Sequence, residues 1–210
     1  QLRELIARDK NHPSVIMWSV ANEPHTFYPE AGEFLGELYR EAQRLDPTRP
    51  VTFAAAQRPI GSEEAYRDAF HVVSLNRYYG WYLQAGRLDE AFRALAQELD
   101  QVHAEFGKPI LLSEFGADSM AGLHADPPEM FSEEYQAALI EGYLRVCAER
   151  PWVIGAHVWN FADFKTSQAV FRVSLNRKGV FTRERQPKMA AQLLRRLWGA
   201  RNTYFVIRNP

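Results

Sequence analysis

Val15-Ile16-Met17-Trp18-Ser19-Val20-Ala21-Asn22-Glu23-Pro24 and Pro109-Ile110-Leu111-Leu112-Ser113-Glu114-Phe115-Gly116 share one design, a short apolar run that closes on a glutamate. Each run reads as a buried parallel strand. Between and beyond them the chain alternates. Residues 2–8 form the tail of a helix, with Leu2, Leu5 and Ile6 on one side, and the strand over 15–20 follows. A helix over 30–45 is marked by Phe34, Leu35, Leu38, Ala42 and Leu45 at helical spacing, and Asp46-Pro47-Thr48-Arg49-Pro50 ends it. Further strands are expected at Val51–Ala55, His71–Leu75, Ile110–Ser113 and Trp152–Val158, with helices near 62–69, 88–106, 132–149 and 187–198. Five strands with helices between them imply a parallel sheet covered by helices. No Gly-rich phosphate turn follows the first strand, so a doubly wound sheet fits poorly. A barrel fits better but needs eight strands. The expected fold is therefore α/β: the C-terminal five-strand portion of a TIM (β/α)8 barrel, with the first three strands missing. A five-strand arc leaves two unpaired edges and an unfilled interior, so the chain is expected to be a fragment, poorly stable by itself.

Bulk properties narrow the function. At 210 residues, with 46% hydrophobic and 24% charged content, the chain has the composition of one ordinary globular domain. A formal net charge of −1 gives no electrostatic footprint for nucleic acid or an anionic membrane, and no run is long and apolar enough to span a bilayer. Cys147, the single cysteine, falls in a helical pattern and is expected to be a buried, inert thiol. The six histidines show no tight ligand spacing, so neither a metal nor a cofactor is expected. No Asn-x-Ser/Thr sequon occurs, and a cytoplasmic location is the expectation.

The strand-end glutamates carry the chemistry. The active-site face of an α/β barrel is the C-terminal end of its strands, so Glu23 and Glu114 are candidate catalytic groups. A pair of carboxylates on different strands points to glycoside hydrolysis. In a retaining enzyme they lie ~5–5.5 Å apart: one attacks the anomeric carbon, and the other protonates the leaving oxygen and then activates water. For either glutamate alone, a salt-bridged loop residue is the competing reading. Pro24 disfavours helix at Glu23, so the strand is expected to exit there into an extended turn. Tyr78, Trp81 and Tyr82, after the third strand, and Trp159, at the end of the fifth, are either sugar platforms or core packing. Arg172 and the turn Asn176-Arg177-Lys178-Gly179 would suit an acidic sugar; on spacing alone they read first as a solvated basic loop.

Taken together, the runs Asn11–Pro24, Leu75–Tyr82, Ser113–Asp118, Val158–Phe164 and Asn176–Arg183 resemble glycoside hydrolase family 2, and within it the β-glucuronidases. The likeness spans the chain, so residues 1–210 are expected to be a partial family 2 catalytic barrel domain. The Asn-Glu-Pro element is common to many barrel glycosidases. The Asn76–Tyr82 run and the Asn-x-Lys turn are more specific. The resemblance implies Glu23 as acid/base, Glu114 as nucleophile and Asn22 on the sugar 2-hydroxyl. Tyr78, Tyr82 and Trp159 would line the sugar, and Arg172, Asn176 and Lys178 would hold the glucuronate carboxylate. The expected partner is a small-molecule or oligosaccharide glucuronide, and the full-length protein is expected to be a homo-oligomer. A family 2 β-galactosidase and an inactive sugar-binding fragment are the competing readings. Measured against the family, the upstream jelly-roll and immunoglobulin-like domains are expected to be absent from this stretch along with the first three strands. The sequence also carries Phe115 where the family often has Tyr, which would remove a hydroxyl beside the nucleophile.

Overall fold

The computed structural model describes residues 1–26, 28–57 and 65–199. The elements run α1 (Leu2–Asp9), β1 (Trp18–Asn22), α2 (Pro29–Leu45), β2 (Val51–Ala55), α3 (Ala65–Asp68), β3 (Val73–Asn76), α4 (Leu88–Phe106), β4 (Ile110–Phe115), α5 (Glu133–Ala148), β5 (Val153–Val158) and α6 (Met189–Gly199). The strands are hydrogen-bonded in the order β1-β2-β3-β4-β5. This is the alternating α/β pattern read from the sequence. Of the helix expected near 62–69, residues 62–64 lie outside the described residues and Ala65–Asp68 is helical. Among the described residues no helix is long and apolar enough to cross a membrane.

The chain forms two compact units. The first comprises Gln1–Asn76 and Glu98–Ser113; the second comprises Arg77–Gln97 and the chain from Glu114 onward. In the first unit β1, β2 and β3 pair in parallel, with Trp18 opposite Val51, Asn22 opposite Ala54 and Ala55 opposite Leu75. Every residue of β2 and β3 is buried. The Phe53 and Tyr66 rings stack at 4.2 Å, and the Tyr66 hydroxyl donates to the Phe53 carbonyl. The polar side chains Thr52 and Ser74 are satisfied by a 2.8 Å hydrogen bond to each other, as buried hydroxyls require.

The β1 end of this unit is tied by Asp46, which is 4% exposed. Its Oδ2 accepts from Trp18 Nε1 at 3.0 Å and from Arg49 Nη1 at 2.7 Å, while Oδ1 accepts from the Thr48 backbone and hydroxyl. Arg49 Nε also donates to the Val15 carbonyl at 2.6 Å, and Val15 N closes a turn onto His12. Val15–Met17 are thereby drawn out of the ladder. The strand starts at Trp18 rather than Val15, and Ile16 is 75% exposed. Nor is β1 buried throughout: only Trp18 is, and β5 is likewise half-exposed, because these are the outermost strands in the order.

In the second unit α5 supplies the core. Ser132 caps it, accepting from Tyr135 N at 3.1 Å, and Glu133 and Glu134 place negative charge in its first turn. Tyr135, Leu139, Tyr143 and Val146 are all buried, as their helical spacing predicts. Cys147 is fully buried, and desolvation pushes its thiol up to about 12. In α6, Leu193 and Leu194 are buried while Met189 and Trp198 face outward.

The hydrogen bonds on Asp46 hold its carboxyl well below its ordinary value of 3.8, those from Thr48 most strongly, then those from Trp18 and Arg49. A depressed carboxylate stabilises the fold above its unfolded range, and the contribution is lost as pH falls through the folded value. Asp46→Asn should therefore cost about 2–4 kcal/mol in urea unfolding at pH 7. The same gap should persist at pH 5 and narrow only in stronger acid. An unchanged unfolding midpoint at pH 7 would contradict the role of this knot.

Candidate active site

In the first unit, a bulge between Ser19 and Asn22 re-aims the end of β1. Glu23 follows with φ +49°, and its N–H donates to the Ala54 carbonyl at 2.8 Å. The expected extended turn is therefore not formed: the proline bars right-handed helix, and Glu23 takes the left-handed region, uncommon for a residue with a side chain. Asn76, fully buried at the end of β3, braces this arrangement. Its Nδ2 donates to Glu23 Oε1 at 3.0 Å and to Asn22 Oδ1 at 3.1 Å, and its Oδ1 accepts from Ser113 Oγ at 2.8 Å. The amide thus uses both donors and one acceptor to hold two candidate site residues. Asn22 and Glu23 remain solvent-exposed beside it.

In the second unit Glu114 is half-buried at the end of β4. Tyr78 Oη donates to Glu114 Oε2 at 2.6 Å, a short charge-assisted bond, and Arg77 N donates to the Glu114 carbonyl. The Tyr78 and Tyr82 rings meet edge-on at 5.3 Å. Trp159 is half-exposed, its N–H bonded to the Phe115 carbonyl at 2.8 Å, and the Trp159–Asn160 peptide is cis. Gly116 is needed here. A Cβ at that position would fall inside the contact radius of the Trp159 carbonyl oxygen. The expected loss of a hydroxyl beside the nucleophile at Phe115 does not describe the site. Successive side chains of a strand point to opposite faces, and the Phe115 ring stacks on Tyr143 at 5.0 Å. The hydroxyl on Glu114 comes from Tyr78.

The Asn176–Gly179 turn is not a solvated loop: Asn176 and Lys178 are 4% and 1% exposed. Lys178 Nζ donates to Asp118 Oδ1 and, at 3.3 Å, to Tyr82 Oη, and it lies 4.6 Å from the Trp81 ring centre. Arg172 Nη2 donates to Tyr82 Oη at 2.9 Å, and its Nη1 lies 3.7 Å from Asp118 Oδ1. That Nη1 is buried with no hydrogen-bond partner among the described residues. Asn176 Oδ1 accepts from Lys178 N at 3.1 Å, so this side chain shapes the turn. Burial lowers the pKa of the Lys178 ammonium, and the Asp118 charge works against that shift. A second buried pair, Lys188 and Asp163 at 2.9 Å, pins the turn from beneath, since Lys188 Nζ also donates to the Arg177 and Ser119 carbonyls. Burial shifts both partners toward neutrality, raising the Asp163 pKa and lowering that of Lys188. Gly179 lets the turn lie directly against the Ala162–Asp163 backbone.

The second unit thus gathers Glu114, Tyr78, Tyr82, Arg172 and Lys178 through hydrogen bonds and the Tyr78–Tyr82 ring contact, while Asn22 and Glu23 are held in the first. Asn76 and Asp118 are the residues that strand-end reasoning about glutamates passes over. The signal was present in both cases: a polar side chain at or just beyond the C-terminal end of an apolar strand. Among the described residues no group of His, Cys, Asp and Glu could hold a metal ion.

The chain matches known proteins in sequence and in fold. The glycosyl hydrolases family 2, TIM barrel domain, matches residues 1–202. A β-glucuronidase of Paenibacillus borealis is 49% identical over 203 residues, 97% of this chain and 34% of the relative. Among solved structures, a β-D-glucuronidase of Dictyoglomus thermophilum superposes with a TM-score of 0.90 at 46% identity, over 97% of this chain and 35% of its own. The Bifidobacterium dentium β-glucuronidase, in complex with coumarin-3-O-glucuronide, gives 0.88 at 45% identity over 95% of this chain and 32% of its own. The chain spans about a third of the length of the curated relatives it matches.

Gly116→Ala should destabilise the protein by at least ~2 kcal/mol, because the blocking atom is backbone and cannot rotate away. Thermal unfolding should register this as a fall of roughly 5 °C. A variant that melts like the parent would contradict the close approach of β4 and Trp159.

Proposed function

The chain belongs to glycosyl hydrolase family 2 through its TIM barrel domain, and from that membership we propose that this protein is a retaining β-glucuronidase. It cleaves β-D-glucuronides to glucuronic acid and an aglycone by double displacement. The carboxylate of Glu114 attacks the anomeric carbon, and Glu23 protonates the departing aglycone oxygen. The resulting glycosyl ester at Glu114 is cleaved by water that Glu23 deprotonates, so the configuration is retained. Tyr78 orients Glu114 for attack through its 2.6 Å hydrogen bond. Asn22 bonds the 2-hydroxyl, and Tyr82 and Trp159 offer aromatic faces to the sugar ring.

One observation carries the choice of sugar. Lys178 and Arg172 contribute two positive charges, and Asp118 contributes one negative charge between them. The cluster keeps a surplus of one positive charge, and Arg172 Nη1, 3.7 Å from Asp118 Oδ1, has no hydrogen bond among the described residues. A single carboxylate neutralises that surplus, and a neutral hexose does not. Nearly half the residues are shared with β-glucuronidases, one of them solved with a glucuronide, which supports the same choice.

In the full-length enzyme, Lys178→Ala should lower kcat/KM for 4-nitrophenyl β-D-glucuronide by about 100-fold. The loss on the matching β-D-galactoside should stay within ~3-fold, since that sugar makes no charge-assisted bond to the lysine. An equal loss on both sugars would overturn the carboxylate clamp. A parent enzyme that prefers the galactoside would overturn the glucuronidase assignment.

A further inference from the structure

We infer that Asp118 is the positioning residue of the acidic-sugar site: its two carboxylate oxygens fix both the Lys178 ammonium and the backbone that carries it. The inference rests on the glucuronidase reading above, and deepens it by naming the group through which Lys178 acts.

Asp118 is fully buried. Its Oδ2 accepts from Arg177 N at 3.0 Å, and its Oδ1 accepts from Lys178 Nζ. The same carboxylate therefore holds both ends of the lysine, the main chain one residue before it and the ammonium at its tip. A lysine stem is flexible and its ammonium is a point charge, so neither supplies direction by itself. The surroundings supply little direction either. The ammonium lies over three ring faces, those of Trp81, Tyr82 and Tyr78, at 4.6, 4.9 and 5.7 Å, and cation–π attraction falls off gently with position. Tyr82 Oη accepts from it at 3.3 Å but also accepts from Arg172. Of its hydrogen bonds among the described residues, the one to Asp118 selects one place within this aromatic cage.

The location of Asp118 gives that selection a consequence. It sits four residues after Glu114, in the segment Phe115–Ser119 that is buried throughout. Gln136 stiffens the same join, donating from Nε2 to the Ala117 carbonyl at 2.9 Å and to the Lys178 and Gly179 carbonyls at 3.2 Å, while its Oε1 accepts from Ser119 Oγ. The group that grips the sugar carboxylate is thereby held at a fixed offset from the group that attacks the sugar. Small misplacements between such groups are costly to rate. Lys188 and Asp163 form the contrasting case: their buried pair supports the turn, but among the described residues Lys188 bonds only to Asp163 and to main-chain carbonyls.

The test is a double-mutant cycle in the full-length enzyme, comparing the parent, Asp118→Asn, Lys178→Met and the double variant on 4-nitrophenyl β-D-glucuronide and β-D-galactoside. Asp118→Asn should lower kcat/KM for the glucuronide at least ~30-fold, mostly through KM, and change the galactoside value by no more than ~3-fold. The double variant should be no worse on the glucuronide than Lys178→Met alone, within ~3-fold, because Asp118 hydrogen-bonds the lysine ammonium, while Arg172 stands 3.7 Å away without a hydrogen bond to it. A purely supporting role would give equal losses on both sugars, or losses that multiply in the double variant, and either result overturns the proposal, as does an unimpaired Asp118→Asn. Should Asp118→Asn fail to fold, the comparison of Lys178→Met with the double variant, in which neither charge is left buried alone, still decides the question. A parent enzyme without glucuronide preference would sink the parent reading and this inference together. Preference in the parent with unselective losses in the variants sinks this inference alone.

Discussion

A carboxylate taken fully out of water is tolerated only when its partners are complete, because the desolvation cost is several kcal/mol per ion. Asp118 imposes that condition on the second unit. The Arg177 amide, the Lys178 ammonium and the Arg172 guanidinium all converge on it. To bring a turn some sixty residues later in the chain to this point, the backbone needs Gly179 where it meets Ala162 and Asp163, and Gly116 where β4 meets Trp159. The Lys188–Asp163 pair and Gln136 fill the remaining hydrogen-bonding positions beneath the turn. The candidate site side chains of this unit, Tyr82, Arg172 and Lys178, take their places from that arrangement of buried charge.

The first unit solves a different problem with neutral groups. Glu23 sits in a left-handed conformation that costs of order 1–3 kcal/mol in a residue with a side chain. It is held by a main-chain bond to β2 and by the Asn76 amide, itself fixed by Ser113. An amide brace suits a group proposed to give up and recover a proton in each turnover, because Asn76 stays neutral through both steps. A cation in the same place would favour the deprotonated form. The proposed nucleophile and the proposed acid/base are thus supported by contrasting means, a tyrosine hydroxyl at Glu114 and a carboxamide at Glu23.

Much of this was legible in the sequence where periodicity and strand ends carry the information. Helix α4 falls on Leu88–Phe106, as the spacing of Leu88, Phe92, Leu95, Leu99 and Val102 implies, and β2 falls on Val51–Ala55. Glu23 and Glu114 stood out because a charge at the end of an apolar strand is a local signal. Apolarity misled at Val15–Met17, where a tertiary contact from Arg49 claims the carbonyl that a ladder would use. The Asn176–Lys178 turn was misread on spacing alone, because the anion that buries Lys178 is remote in sequence. Asn76 was passed over because an amide at a strand end lacks the charge that draws attention to a glutamate, although its burial and three hydrogen bonds make it central.

In the proposed mechanism Glu114 forms a covalent bond to the sugar while Glu23 moves protons. Treating the full-length enzyme with a 2-deoxy-2-fluoro-β-D-glucuronyl fluoride, then mapping peptides by mass spectrometry, tests it directly. The fluorine slows hydrolysis of the glycosyl ester, so a retaining enzyme accumulates it. The expected result is one sugar per active site, attached to the peptide carrying Glu114. Label on Glu23 or on another residue, or turnover with no covalent species, would contradict it.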